Sequence, residues 1–276
     1  MKRREFLKTS LQATALGTLG TAALSRPTQG AEGRVAQEYY ELRAYHMANP
    51  EGRALLEDYL EKAAIPALNR IGCRPVGVFR QQERQTPPAS TELREPATIF
   101  VLIPYPNLET FAQANARLRR DEEHQRAGQA YLQRSKANAA FERINSWLML
   151  AFAGMPRVEL PEYCREKKPR FFELRTYESY SEEKAQNKVD MFNSGEIPTM
   201  HEVGLGPIFF GQGLVGANLP HLTYMLSAED EQSHKKHWDA FGKHPVWNKL
   251  KSEPQYADNV SKIYNRFLVP APFSQI

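Results

Sequence analysis

Cysteine is scarce: the 276 residues hold two, Cys73 and Cys164. Two are too few for a disulfide framework, and their separation matches no metal-ligand spacing. A single bridge fits an oxidising compartment, and two unpaired thiols fit the sequence equally well. Long apolar runs are missing too. The stretch from Leu11 to Leu24 is rich in Ala, Gly and Thr, too short and too weakly apolar to span a bilayer, so no stable membrane anchor is expected. No phosphate-binding loop, dinucleotide fingerprint or nucleophile elbow occurs, and no cofactor is expected. Positive charge is also less abundant than the formal +4 suggests. Residues 1–31 carry Lys2, Arg3, Arg4, Lys8 and Arg26 against Glu5 alone, which accounts for the whole excess. A neutral body without a basic stripe excludes nucleic acid, whose affinity comes mainly from Lys and Arg on phosphates.

The basic start has its own logic. Arg3 and Arg4 stand before Phe6-Leu7-Lys8, and the weakly apolar run and a polar stretch follow. This resembles a bacterial twin-arginine (Tat) signal peptide over residues 1–31, with cleavage expected near Gln29–Gly33. No cysteine follows the apolar run, so no lipid anchor is expected. The body is expected to be periplasmic or secreted.

The body is a duplication. Tyr39-Tyr40-Glu41-Leu42-Arg43-Ala44-Tyr45 returns as Phe171-Phe172-Glu173-Leu174-Arg175-Thr176-Tyr177, a shift of 132 residues. Without a gap, the same shift pairs Asp58 with Asp190, Ile65-Pro66 with Ile197-Pro198, and Gly72 with Gly204. Ten of the 38 positions from Tyr39 to Val76 are identical, where chance gives roughly two, and two copies at this period mean paired domains rather than a solenoid.

Each copy reads alike. An alternating aromatic strand (38–47; 170–178) leads to Asn49 or Ser181 as a helix N-cap. An amphipathic helix follows, with Pro66 or Pro198 splitting it near its end and Gly72 or Gly204 closing it. Strands come next at 76–80 and 208–212, then at 98–103 and 222–227, with helices at 108–119, 122–136, 230–241 and 245–251. Last strands at 146–152 and 261–268 complete each copy. The order βαββαβ is the ferredoxin-like split βαβ unit. Modules are expected over 36–154 and 170–276, with a proline-containing linker at 155–169. A ferredoxin-like sheet leaves one face to be covered. Here the other copy is the natural cover, giving an α+β chain whose two modules pair into an intrachain, pseudo-dimeric barrel.

The second copy also resembles the NIPSNAP family. The likeness rests on Glu173-Leu174-Arg175-Thr176-Tyr177, Leu222-Thr223-Tyr224-Met225-Leu226, Lys236-His237-Trp238-Asp239-Ala240-Phe241, His244-Pro245-Val246-Trp247 and Asn265-Arg266-Phe267-Leu268-Val269-Pro270. It covers residues 170–272; the first copy lacks the tryptophan-containing helix. The resemblance implies the dimeric α+β barrel fold, shared with small monooxygenases and haem-degrading proteins. It implies no reaction, because fold does not carry function.

Candidate chemistry gathers on the first strand of each copy. Glu41, Arg43 and Tyr45, like Glu173, Arg175 and Tyr177, share one sheet face. They either line a barrel cavity, the arginine clamping an anion while Tyr or Glu moves a proton, or they lock the copies together as a structural seam. His201, at the end of the second copy's helix, is a candidate base or a simple cap. His234, His237 and His244 find no acidic partner at ligand spacing, so no metal is expected. Trp238, Phe241 and Trp247 have the spacing of core residues. Two functions stay open: a non-catalytic module binding a small ligand or a protein partner, and a cofactor-independent monooxygenase or isomerase acting on an apolar or aromatic substrate inside the barrel.

Overall fold

The computed structural model describes residues 35–82 and 98–276. The twin-arginine segment and most of the proline-containing loop between the second and third strands lie outside them. The first half runs β1 (Tyr39–Met47), α1 (Pro50–Tyr59), α2 (Ile65–Arg70), β2 (Gly77–Gln81), β3 (Thr98–Tyr105), α3 (Leu108–Arg120), α4 (Glu122–Ala127), α5 (Gln129–Leu132) and β4 (Phe141–Ala151). A short helix α6 (Glu162–Arg165) precedes the second half. There follow β5 (Phe171–Glu178), α7 (Glu182–Met191), α8 (Ile197–Glu202), β6 (Pro207–Val215), β7 (His221–Ala228), α9 (Glu231–Lys243), α10 (Pro245–Leu250) and β8 (Lys262–Pro270).

Local sequence explains the repeated hairpin of helices. The Asn49 side chain accepts from the Gly52 N–H, and the Ser181 hydroxyl accepts from the Lys184 N–H, so each helix begins at its expected cap. Proline at 66 and 198 has no N–H to give to the preceding turn. The chain responds with a single π-helical turn in each copy, Leu60–Ala64 and Phe192–Glu196, and in the second the backbone also kinks at Gly195, whose φ of 176° and ψ of −20° are not helical. Gly72 (φ 88°) and Gly204 (φ 82°) then supply the left-handed residue that ends each unit.

The strands close into one antiparallel barrel in the order β1-β3-β2-β8-β5-β7-β6-β4. Each half contributes a sheet ordered fourth, first, third, second, the ferredoxin-like arrangement, and the duplicated halves complete each other as expected from the exposed-face argument. The seams are β2 with β8, where Arg80 faces Val269, and β4 with β6, where Leu150 faces Gln212. Alternate residues of the strands fill the inside: Tyr40, Leu42, Phe79, Phe172, Leu174, Phe209, Met225 and Leu268 form one buried cluster drawn from both halves. Two further clusters lie between the outer sheet face and the helices, one per half.

One end of the barrel is plugged. Segment 155–169, read from sequence as a linker, packs Val158, Leu160 and Tyr163 on the interior cluster and buries Cys164 within it. Its backbone is tied to the starts of β1 and β6, through Glu38 N–H to Pro156 and Glu159 N–H to the Ile208 carbonyl. The C-terminal Ile276 is buried there as well. Among the described residues no helix is long and apolar enough to cross a membrane.

Candidate ligand site

The Glu-Arg-Tyr sets take neither of the places the sequence allowed. Since Tyr40, Leu42 and Leu174 point into the barrel, Glu41, Arg43, Tyr45 and their repeats point outward, beneath the helices. Nor do they form the seam, because β1 and β5 each lie in the middle of their own sheet.

In the first half Glu41 is saturated. Arg43 Nε and Nη2 donate to its two oxygens at 2.7 and 2.9 Å, Ser146 Oγ at 2.9 Å and Tyr105 Oη at 2.9 Å. Burial alone would raise the Glu41 pKa, but these hydrogen bonds and the Arg43 charge hold it below the ordinary carboxylate value. In the second half Glu173 takes Arg175 Nη1 at 2.6 Å, His234 Nε2 at 2.8 Å and Trp238 Nε1 at 2.8 Å. Against the effect of burial, His234 and the Arg175 charge hold its pKa down. Arg175 also donates to the Tyr177 hydroxyl at 3.0 Å, stacks 4.8 Å from the Trp238 ring centre, and lies near a Tyr177–Tyr224 hydroxyl pair at 2.8 Å. Trp238 is therefore more than a core residue: its position one turn after His234 aims both side chains at one carboxylate. Beside this cluster Lys188 and Glu196, both buried, form an ion pair.

The histidines separate. His201 is exposed, 4.0 Å from Glu159 of the plug; His237 lies against Gly204; and His244 accepts from the Val246 N–H at the start of α10. No three His, Cys, Asp or Glu side chains among the described residues converge as metal ligands. Cys73 and Cys164 are free and buried in different clusters, which overturns the bridge left open by sequence.

Among the described residues the space lies elsewhere, at the other end, where β1 and β5 terminate. A small open cleft of about 60 Å³ descends to Leu42, Leu174 and Phe100 of the interior cluster. Trp147 forms one wall; Tyr264 and Arg266 come from β8, and Thr223 and His221 from β7. Thr176 and Thr223 are joined by a 2.9 Å hydroxyl contact. His221 is 2% exposed, its Nε2 without a hydrogen-bond partner, and burial lowers its pKa despite the nearby Glu178 charge. Its ring fits because position 213 is glycine: a Cβ there would stand 2.7 Å from Nε2. Sequence reasoning missed His221 and Arg266 because alternation marks a face as inner or outer only once one face is known, and here the polar face is the outer one.

The fold and its halves define a single-chain dimeric α+β barrel. Residues 172–275 match the NIPSNAP family model, as the second copy's motifs led one to expect. Among curated proteins nothing matches the chain. Two solved structures, each provisionally named a monooxygenase, share the fold. That from Fusobacterium nucleatum superposes with a TM-score of 0.53 at 11% identity over 85% of this chain and 93% of its own. That from Lactobacillus acidophilus gives 0.53 at 8% identity over 85% and 94%. A NIPSNAP-like domain protein from Burkholderia xenovorans aligns with 38% of this chain and 89% of its own at 19% identity and a TM-score of 0.35. At such identities the likeness is one of fold.

Proposed function

We propose that this protein is an exported, non-catalytic module that holds a small organic ligand in the cleft of its barrel. One observation carries the reading: among the described residues the barrel is plugged at one end and filled along its middle, while the other end holds a cleft with mixed aromatic and polar walls. Concave sites with an apolar floor and a few convergent polar groups are the usual seats of small ligands. The two Glu-Arg-Tyr sets, by contrast, are engaged by their own neighbours, Glu41 by four donated hydrogen bonds. The first set ties neighbouring strands together and the second ties the sheet to α9, and both leave little for a substrate to take up.

Native mass spectrometry of the mature protein purified from its own periplasm tests the proposal. A retained small mass, lost when the cleft is blocked by Gly213→Leu, is the expected result. A bare chain that converts an aromatic substrate under air would replace the binding module with the oxygenase reading. Export is tested separately: Arg3→Lys with Arg4→Lys should leave the protein in the cytoplasm, and normal periplasmic yield would remove the twin-arginine route.

A further inference from the structure

Three side chains on the second half's wall of the cleft stand in a row. His221 Nδ1 lies 3.4 Å from the Thr223 hydroxyl, which in turn lies 2.9 Å from the Thr176 hydroxyl. All three line the cleft. Strand register brings them together: Thr176 pairs with Thr223 across β5 and β7, and His221 precedes Thr223 by two residues on the same face of β7. At the same register the first half carries Ala44, Phe100 and Thr98. The row therefore belongs to one wall and is not required by the fold.

Its buried end sets its direction. Burial lowers the His221 pKa, so near neutrality the ring carries a single proton. Nε2 is enclosed against Gly213 and has no hydrogen-bond partner. Orphaned buried N–H groups are rarer in proteins than under-used acceptors, which puts the proton on Nδ1. There the Thr223 oxygen accepts it. Thr223 then turns its own proton to the Thr176 oxygen, and the Thr176 proton is left to the cleft. On this row, and resting on the ligand-binding reading above, we infer that the ligand is a small aromatic carbonyl compound whose oxygen accepts from Thr176. Leu42, Leu174 and Phe100 form the apolar floor and Trp147 a flat wall for its ring. At about 60 Å³ the cleft has less than half the roughly 150 Å³ that takes benzene whole, so the carbonyl-bearing edge enters and the rest of the ring stays at the mouth.

Equilibrium dialysis of the full chain against 1-indanone, indane and indole tests this, because the three share one fused-ring frame. The ketone should bind roughly fivefold more tightly than indane, the factor expected of one hydrogen bond. Indole, whose N–H is a donor, should bind no more tightly than indane. Thr176→Val should remove the ketone's advantage and Thr176→Ser should keep it. Should Thr176→Val fail to fold, Thr176→Ala should weaken all three probes and leave no preference. Nitrogen-15 NMR of the histidine rings, with His221 assigned by its loss in His221→Thr, should show a protonated Nδ1 and a bare Nε2 near neutrality. A proton on Nε2 reverses the row and overturns the inference. So does equal binding of ketone and indane, a preference for indole, or an advantage that survives loss of the Thr176 hydroxyl. If no probe binds while another mass is retained on the periplasmic protein, the ligand class falls and the binding module stands. If no probe binds and the chain is bare, both fall.

Discussion

The two halves share a backbone path, a π-helical turn and a Glu-Arg-Tyr strand, yet the layer between sheet and helix is built from different chemistry. Under the second half's π-turn Lys188 pairs with Glu196, and each is buried. At the same repeat positions the first half has Leu56 and Ala64, buried as well. The fold therefore does not require the ion pair there; an apolar solution stands in the same molecule. Removing one partner of a buried pair strands a charge, whereas replacing both by well-packed apolar residues is often neutral or stabilising. Lys188→Leu alone should cost about 3–5 kcal/mol in urea unfolding. Lys188→Leu with Glu196→Ala, copying the first half, should recover most of that loss. If the double variant is as unstable as the single one, the pair does something beyond packing, and the second half's polar layer becomes the better place to seek function.

A smaller effect is expected where the halves agree. Glu41 and Glu173 both have folded pKa values held below the ordinary carboxylate value, against the effect of burial. A depressed carboxylate pKa gives stability that is present above the unfolded value and is lost as pH falls through the folded one. Glu41→Gln and Glu173→Gln should each cost about 1–3 kcal/mol near neutrality. Each deficit should shrink as pH falls below about 4, because the unfolded wild-type chain then takes up a proton that the folded carboxylate still excludes. A deficit that stays constant with pH would mean that shape rather than charge holds the set together.

Where the halves disagree at the cleft, the expected effect is smaller again. The His221 pKa is lowered by burial, partly opposed by Glu178, so protonation favours the unfolded chain. Stability should decline as pH falls below about 6.5. His221→Thr, the residue type of the first half's Thr98, should flatten that part of the profile. An unchanged slope in a melting series would show that the decline comes from another group.

Much of this architecture was legible because repetition filters noise. Caps at Asn49 and Ser181, glycines at 72 and 204 and prolines at 66 and 198 each recur, and each does in the structure what its chemistry requires. Intrachain pairing followed from the need to cover one sheet face. What sequence could not supply was which face turns inward. Glu41 and Arg43 look like cavity residues on a strand, but helices covering the outer face make that layer as dry as the interior, and fully paired charges settle there. The long β4 is half-hidden for a related reason: Phe141–Asn145 is exposed or half-buried and carries Glu142, Arg143 and Asn145, so the sequence signals the strand only from Ser146. Segment 155–169 looked like a linker from its prolines, yet its apolar residues plug the barrel.

Cysteine gives the smallest effect. Cys73 sits at the repeat position of Leu205, each wholly buried in the sheet–helix layer of its own half. Cys164 belongs to the plug and reaches into the interior cluster. Burial pushes the two thiols up to about 12 and about 11, so almost no thiolate forms near neutrality and both act as small apolar residues. Reductant should therefore leave the melting temperature unchanged even for protein taken from an oxidising compartment. Iodoacetamide should label neither site in the folded chain and both in urea. Labelling of Cys73 alone without denaturant would show that the first half's helix layer opens independently of the barrel, a difference in local stability between halves that the shared fold does not lead one to expect.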